Sequence, residues 1–211
     1  MNGINTLIWD WNGTLLDDAE ICRSIINGLL TARNIKTLCL DTYKNIFTFP
    51  VKDYYEKAGF DFTKEAFEIP ADEFMLNYHE RIKNAGLHQN SLAILKEASN
   101  GYTQFILSAM EQKTLIQLVK KHKIDAYFKS ISGINNHYAD GKTGIAKKLI
   151  GEYKLNPKDI CLIGDTIHDH EVAQSIGCEC ILIAAGHQSK ARLKATRRVV
   201  LNSLIELKTY L

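Results

Sequence analysis

The feature that most constrains this chain is a recurrence: short apolar runs, several closed by an aspartate, serine or glycine, separated by stretches of helical periodicity. The runs fall at residues 4–9, 103–107, 127–131, 160–163 and 179–183, with a weaker one at 198–201. Between them, 113–121 sets Leu115, Leu118 and Val119 on one helical face. Residues 143–153 do the same with Ile145, Leu149 and Ile150, and 169–176 with Val172, Ala173 and Ile176. Gly177 stands where a helix C-cap favours a residue without Cβ. Runs this continuously apolar, alternating with helices, predict a parallel sheet covered on both faces by crossover helices.

The alternation breaks once. From about residue 16 to 87 only helical stretches are expected: Ile21, Ile25, Ile26, Leu29 and Leu30 share one face, and 72–84 carries Phe74, Leu76, Tyr78 and Ile82. A helical block placed directly after the first strand reads as an insertion. The expected class is therefore α/β, with a Rossmann-like three-layer core of residues 1–15 and 89–211 and a helical cap of residues 16–88. The middle of the insertion holds Tyr43, Phe47, Phe49, Tyr54, Tyr55, Phe60 and Phe62, which read either as its own core or as the wall of a pocket. Phe47, Phe49, Lys52 and Tyr54 are the candidates for such a wall, with Lys52 as partner for an anionic substrate.

At 211 residues and 45% hydrophobic composition the chain can bury a full core without staples. The formal net charge is +2 and the basic residues are scattered, so no nucleic-acid partner is expected. The densest basic run, Lys190, Arg192, Lys194, Arg197 and Arg198, reads as a solvated helix face. No apolar stretch nears the roughly 20 residues of a membrane span, and the chain enters its first apolar run without a basic leader. The expectation is a cytoplasmic protein without a membrane partner. Cys22, Cys39, Cys161, Cys178 and Cys180 are odd in number with no C-x-x-C pair, and read as free thiols. Cys178 and Cys180 share one face of a strand and read as buried thiols rather than a metal site. Asn12-Gly13-Thr14 matches the glycosylation pattern but lacks the secretory signal that would give it meaning.

Ligands of open parallel sheets gather beyond the carboxyl ends of the strands. After the first run comes Asp10-Trp11-Asn12-Gly13-Thr14, after the second Ser108-Ala109, after the fourth Gly164-Asp165-Thr166-Ile167-His168-Asp169. Asp140-Gly141-Lys142 precedes the helix from 143. Three carboxylates converging with an ammonium and a hydroxyl suit a hard divalent cation with an anion beside it, and oxygen ligands from Asp10, Asp165 and Asp169 suit Mg²⁺. Without a cation such carboxylates raise one another's pKa.

In these residues the chain resembles the haloacid dehalogenase-like hydrolase superfamily over nearly its whole length. Asp10 and Thr14 match the family's D-x-D-x-T motif, Ser108 the hydroxyl ending the second strand, Lys142 the lysine before a later helix, and Asp165 with Asp169 the G-D-x-x-x-D motif. The insertion and the stretch Ala184-Ala185-Gly186-His187-Gln188-Ser189 resemble the phosphoglycolate phosphatase-like branch. The resemblance implies a phosphatase acting on a small phosphorylated metabolite. Asp10 would attack phosphorus, and water would hydrolyse the resulting aspartyl phosphate. Mg²⁺ would be held by Asp10, the backbone carbonyl of Asn12 and Asp165, with Asp169 ordering its outer shell. Ser108 and Lys142 would bind phosphate oxygens, and Thr14 and Ala109 would contact substrate. The cap would close over the site. Oligomeric state is left open.

The chain departs from the family pattern at Asn12, where the family's phosphatases carry an aspartate that moves protons for leaving group and water. A carboxamide hydrogen-bonds but has no titratable proton, and general acid–base catalysis is typically worth about 10²- to 10⁴-fold. Three consequences stand side by side. The substrate has a leaving group that needs no proton, such as an acyl phosphate, a phosphoanhydride or an activated aryl phosphate; or His137, His168, Lys52 or His79 substitutes; or the chain is a catalytically weak phosphate-ligand-binding member. Dehalogenation is less favoured, since Lys142 and the two acidic residues suit a phosphate and its metal.

Overall fold

The computed structural model of the protein describes residues 3–134 and 141–211. The chain opens with β1 (Thr6–Trp9) and a two-residue strand, β2 (Leu16–Asp17). Four helices follow: α1 (Ala19–Ala32), α2 (Leu40–Ile46), α3 (Val51–Ala58) and α4 (Glu68–Arg81). A second short strand, β3 (Gly86–Leu87), leads into α5 (Ser91–Ala98). The chain then alternates through β4 (Thr103–Glu111), α6 (Gln112–Lys121), β5 (Ser130–Ile134), α7 (Gly141–Tyr153), β6 (Ile160–Gly164), α8 (Ile167–Ile176), β7 (Glu179–Ile183), α9 (Lys190–Lys194) and β8 (Val199–Leu201).

The six long-range strands form one sheet in the order β5-β4-β1-β6-β7-β8, every neighbouring pair parallel. Because strand side chains alternate faces, Leu7 and Trp9 point to one layer, with Leu95, Leu115 and Val119, while Ile8 points to the other, with Leu149, Val172 and Ala173. Both faces are thus covered, as the apolar runs require. β1 lies at the centre, so the chain leaving its carboxyl end emerges in the middle of the sheet edge.

The insertion is helical. Its polypeptide enters through β2 and returns through β3, which pair antiparallel and fix the two crossings side by side. It has its own small core, in which Ile26, Leu30, Tyr43, Tyr54, Tyr55 and Phe60 are buried. In α3 the residues Val51, Tyr54, Tyr55 and Ala58 follow the i, i+3, i+4, i+7 pattern, with the last three buried.

Several expectations shift. The run at 127–131 is displaced: Asp125–Tyr127 is a turn of 3₁₀ helix, and the strand is Ser130–Ile134. As an edge strand beside β4 alone it needs no continuous apolar run, and its serines alternate with Ile131 and Gly133. The helix expected at 72–84 begins four residues earlier, because Pro70 falls in its first turn, where no intrahelical N–H bond is lost. It gives way to 3₁₀ geometry at Ile82–Asn84. The helix α5, unassigned by the sequence pattern, packs Ile94, Leu95 and Ala98 into the core. The basic tail is more than a solvated face: Arg192 donates to the Phe47 carbonyl and Arg198 pairs with Glu179 at 3.3 Å. Gly177 takes the left-handed φ of 76° that a C-cap favours, and Cys178 and Cys180 are buried and free. Among the described residues, no helix is long and apolar enough to cross a membrane.

Candidate active site

The turn after β1 is tight: the Trp11 carbonyl accepts from the amides of Thr14, Leu15 and Leu16. Gly13 sits in it at φ +75°, and a Cβ there would stand 2.3 Å from Asp165 Oδ2 and 2.5 Å from the His187 ring. Only glycine fits at that position. Gly186 is equally constrained, since its Cβ would lie 2.1 Å from Asp165 Oδ2 and 2.4 Å from the Gly13 carbonyl. These two close approaches let the chain after β7 lie against the chain after β1.

The sheet edge gathers the expected acids. Carboxylate oxygens of Asp10, Asp165 and Asp169 lie within 4.8 Å of one another, all buried. Asp169 is the third residue of α8 and forms a capping box with Thr166, its Oδ2 accepting from the Thr166 amide at 3.0 Å and the Thr166 hydroxyl at 2.7 Å. Lys142, in the first turn of α7, donates to Asp10 and to Asp169. Burial lowers the lysine's proton affinity, but the two carboxylates outweigh it and hold the ammonium charged. Burial raises Asp169 too, yet Lys142 and Thr166 hold it below its ordinary value. Asp10 is pushed up to about 6 and Asp165 to about 8, chiefly by burial, with the neighbouring carboxylates adding to it. A buried set of hard oxygen donors, under-compensated by one ammonium, fits a divalent cation such as Mg²⁺.

Thr14 is fully buried, its hydroxyl 3.0 Å from Asp10 Oδ2 and 3.2 Å from Asp165 Oδ1, so it ties two acids together instead of facing a substrate. Ser108 lies inside β4, where pairing with β5 shifts register, rather than after the strand. It accepts from the Met110 amide at 3.0 Å and points its hydroxyl at Asn12 Oδ1, 3.4 Å away. Ala109 faces the cavity. Lys52 does not: it sits on the outer side of α3 with its ammonium 5.7 Å from the centre of the Phe62 ring. Val51, Tyr54 and Tyr55 fill the inward positions of that helix, a periodicity that the sequence already displays. His168 and His79 line the cavity mouth, His168 3.3 Å from Glu171 and beside the Phe49 ring. His137 and Asp140 lie outside the described residues.

Sequence reasoning missed a second network. Asn12 Nδ2 donates to Asp18 Oδ2 at 2.8 Å and to the Tyr78 hydroxyl at 2.6 Å, and that hydroxyl donates to the same Asp18 oxygen at 2.8 Å. A carboxylate only accepts, so Asp18 fixes the amide orientation: nitrogen toward Asp18, oxygen toward Ser108. Asp18 Oδ1 takes the Gly13 amide at 2.8 Å and His187 Nε2 at 3.1 Å. The other ring nitrogen of His187 meets the Tyr43 hydroxyl at 2.7 Å. Burial alone would raise Asp18, but His187, Asn12 and Tyr78 hold it below its ordinary value. For His187, burial lowers the pKa but Asp18 overrides it, to about 9.

Over these residues lies a cavity of about 630 Å³, bounded by Asp10, Asn12 and Lys142 below and by Phe47, Tyr54, Phe74, Met75 and Tyr78 of the insertion above. Its upper wall is tied to the core by Tyr78 and Tyr43, by Lys44 on the Ala185 carbonyl at 2.8 Å, and by Gln188 on the Phe47 carbonyl at 2.9 Å.

Residues 7–183 match the family model described as haloacid dehalogenase-like hydrolase. No curated protein matches the sequence. Among solved structures, a haloacid dehalogenase-like hydrolase from Streptococcus pneumoniae superposes with a TM-score of 0.85 at 20% identity, covering 100% of this chain and 99% of its own. A predicted phosphoglycolate phosphatase from Haemophilus somnus gives 0.77 at 18% identity, with 100% and 99% covered. A predicted phosphatase from Clostridium acetobutylicum gives 0.80 at 20% identity, with 98% and 97% covered. At such identities the superpositions speak for the fold, and the family match, spanning both strand-end motifs, speaks for the chain: it belongs to the haloacid dehalogenase-like hydrolases.

Proposed function

We propose that this hydrolase is an Mg²⁺-dependent phosphatase that transfers the phosphoryl group of a small organic phosphate to Asp10 and then to water. The observation that carries the reading is the position of Asp10, at the open end of the central strand, facing a cavity and flanked by Lys142, Asp165 and Asp169. Mg²⁺ bound by Asp10, the Asn12 carbonyl and Asp165, with Asp169 behind them, would neutralise phosphate charge and orient the phosphoryl group.

The chain's own residues do the rest. Asp10 is the nucleophile, and Lys142 keeps it and Asp169 in place while offering its charge to the incoming phosphate. Thr14 fixes the Asp10 rotamer. Ser108 is the candidate phosphate contact that must turn from Asn12 to act. Asn12 has both amide protons engaged, so toward the cavity it offers an acceptor, which orients a water but protonates nothing. Residues 16–88 act as a cap that shields the aspartyl phosphate from side reactions. That same clamped amide also favours the second reading, a weak enzyme that chiefly binds a phosphorylated ligand.

Phosphate release from acetyl phosphate and a panel of phosphate esters separates the two. The expected result is turnover with Mg²⁺ that disappears with EDTA and falls by about 10³-fold or more in Asp10→Asn. Absence of release from every compound, or undiminished release in Asp10→Asn, overturns the proposal.

A further inference from the structure

The upper wall of the cavity is an unusual use of a helix. Ala71, Phe74, Met75, Tyr78 and His79 recur at i, i+3, i+4, i+7 and i+8 along α4, the spacing of a core-facing stripe, yet all five line the cavity. Phe74 and Tyr78 stack, their ring centres 5.8 Å apart and 15° from parallel. The segment from the end of α2 into α3 contributes Phe47, Phe49, Val51 and Tyr54. Phe49, Val51 and Met75 are left exposed at 41%, 36% and 45%, all at this cavity. Phe74 and Tyr78 pack in part against the insertion's core, but the stripe also opens on the cavity with Met75 exposed, and this apolar lining marks a place for an apolar ligand group.

Charge points the same way. Lys142 is the sole lysine or arginine among the described residues of the cavity wall, and it is engaged by Asp10 and Asp169. Asp72, Glu111 and the site carboxylates give the wall a negative bias. The imidazolium of His187 also lines the wall but is paired with Asp18 at 3.1 Å, so among the described residues a second anion beyond the phosphate finds neither a lysine, an arginine nor His187 unengaged, and a two- or three-carbon phosphate would leave most of about 630 Å³ unfilled.

The third observation is chemical. Asn12, in the turn beside Asp10, carries no titratable proton, and both its amide protons are held by Asp18 and Tyr78. Resting on the phosphatase reading above, we propose that the substrate is an aryl phosphate, a phosphate monoester whose leaving oxygen is carried on a flat aromatic group held by Phe47, Phe74 and Tyr78. An Asp10 oxygen forms a bond to phosphorus as the bond from phosphorus to the aryl oxygen breaks, and the electron pair departs on a phenolate. Bulk water protonates the phenolate outside the reacting pair. In the second step water oxygen bonds to phosphorus, the Asp10 carboxylate is released and the water's proton passes to solvent. A phenol has a pKa near 10, against about 16 for water-like alkoxides, so this departure tolerates an amide where an alkyl ester does not.

The test is steady-state kinetics of the full chain with Mg²⁺ on 1-naphthyl phosphate, a series of substituted phenyl phosphates, glycerol 2-phosphate, phosphoglycolate and acetyl phosphate. The expected kcat/KM for 1-naphthyl phosphate exceeds those for glycerol 2-phosphate and phosphoglycolate by about 100-fold or more. Across the phenyl series kcat falls more than tenfold as the phenol becomes more basic. Phe74→Leu and Phe47→Leu, each from a different wall, lower the ratio of kcat/KM for naphthyl over acetyl phosphate about tenfold, and Phe74→Tyr restores it. Turnover of acetyl phosphate without an aryl preference, or with a flat dependence on phenol basicity, overturns this inference and leaves the phosphatase reading intact. No turnover of any of the five classes overturns both.

Discussion

The carboxylates of Asp10, Asp165 and Asp169 and the carboxylate of Asp18 are buried side by side around Asn12, yet the protein treats them in opposite ways. Asp18 comes with its own cation: His187 pairs with it at 3.1 Å, and the Gly13 amide, Asn12 and Tyr78 take its remaining lone pairs. Asp10 and Asp169 share a single lysine, and burial leaves Asp10 at about 6 and Asp165 at about 8. One cluster is complete and holds the helical insertion and Asn12 in place. Its neighbour carries charge that the fold alone does not balance, which is what a site for a cation and a phosphate requires.

The largest effect on stability is expected from breaking the complete cluster. His187→Ala strands a buried carboxylate and Asp18→Asn strands a buried imidazolium, and removing one partner of such a pair costs about 3–5 kcal/mol. Chemical denaturation of the two single variants and the double variant sharpens the contrast, because the double should cost clearly less than the sum. His187, raised to about 9 from 6.5, lends stability that is full below pH 6.5 and fades as pH rises through about 9. Asp18, lowered from 3.8, lends stability that is full above that pH and fades as pH falls through its depressed value.

Asp10 and Asp165 of the neighbouring cluster have the sign opposite to Asp18. With Asp10 and Asp165 raised, the metal-free fold retains protons that the unfolded chain releases, so it loses stability as pH climbs from about 4 toward about 8. A cation must displace those protons. Millimolar Mg²⁺ is therefore expected to raise Tm more at pH 8 than at pH 5.5, and equal shifts at both would contradict the contrast. A smaller effect, about 1–3 kcal/mol, is expected from Asn12→Asp, which replaces a 2.8 Å hydrogen bond to Asp18 with two facing carboxylates. A denaturation midpoint would register it. The smallest belongs to Lys52→Ala, whose ammonium lies over Phe62 away from the cavity: kcat/KM should move less than twofold.

The sheet and the acids at its edge were legible because both obey one-dimensional rules. A buried parallel strand is a continuous apolar run, and the residue that leaves its carboxyl end faces the ligand side whatever the rest of the chain does. Asp10 and Asp165 could be named on that ground, while Lys142 was legible from its place at the start of a helix. The Asp18 network obeys no such rule. Asn12 meets Tyr78 across 66 positions and His187 meets Asp18 across 169, through a turn and a helical insertion whose docking no periodicity reports. Lys52 misled because proximity to aromatics in sequence was weighed over helical phase: Val51, Tyr54, Tyr55 and Ala58 already leave it on the far side. Ser108 was placed after its strand because β4 runs on past it to Glu111 through the register shift that no apolar run signals.

The most direct test of the account is where phosphate goes. Mass spectrometry of protein quenched in acid during turnover of acetyl phosphate with Mg²⁺ should find one phosphoryl group on the peptide carrying Asp10, and none in Asp10→Asn. Turnover with no label on that peptide, or a label on another residue, would contradict it.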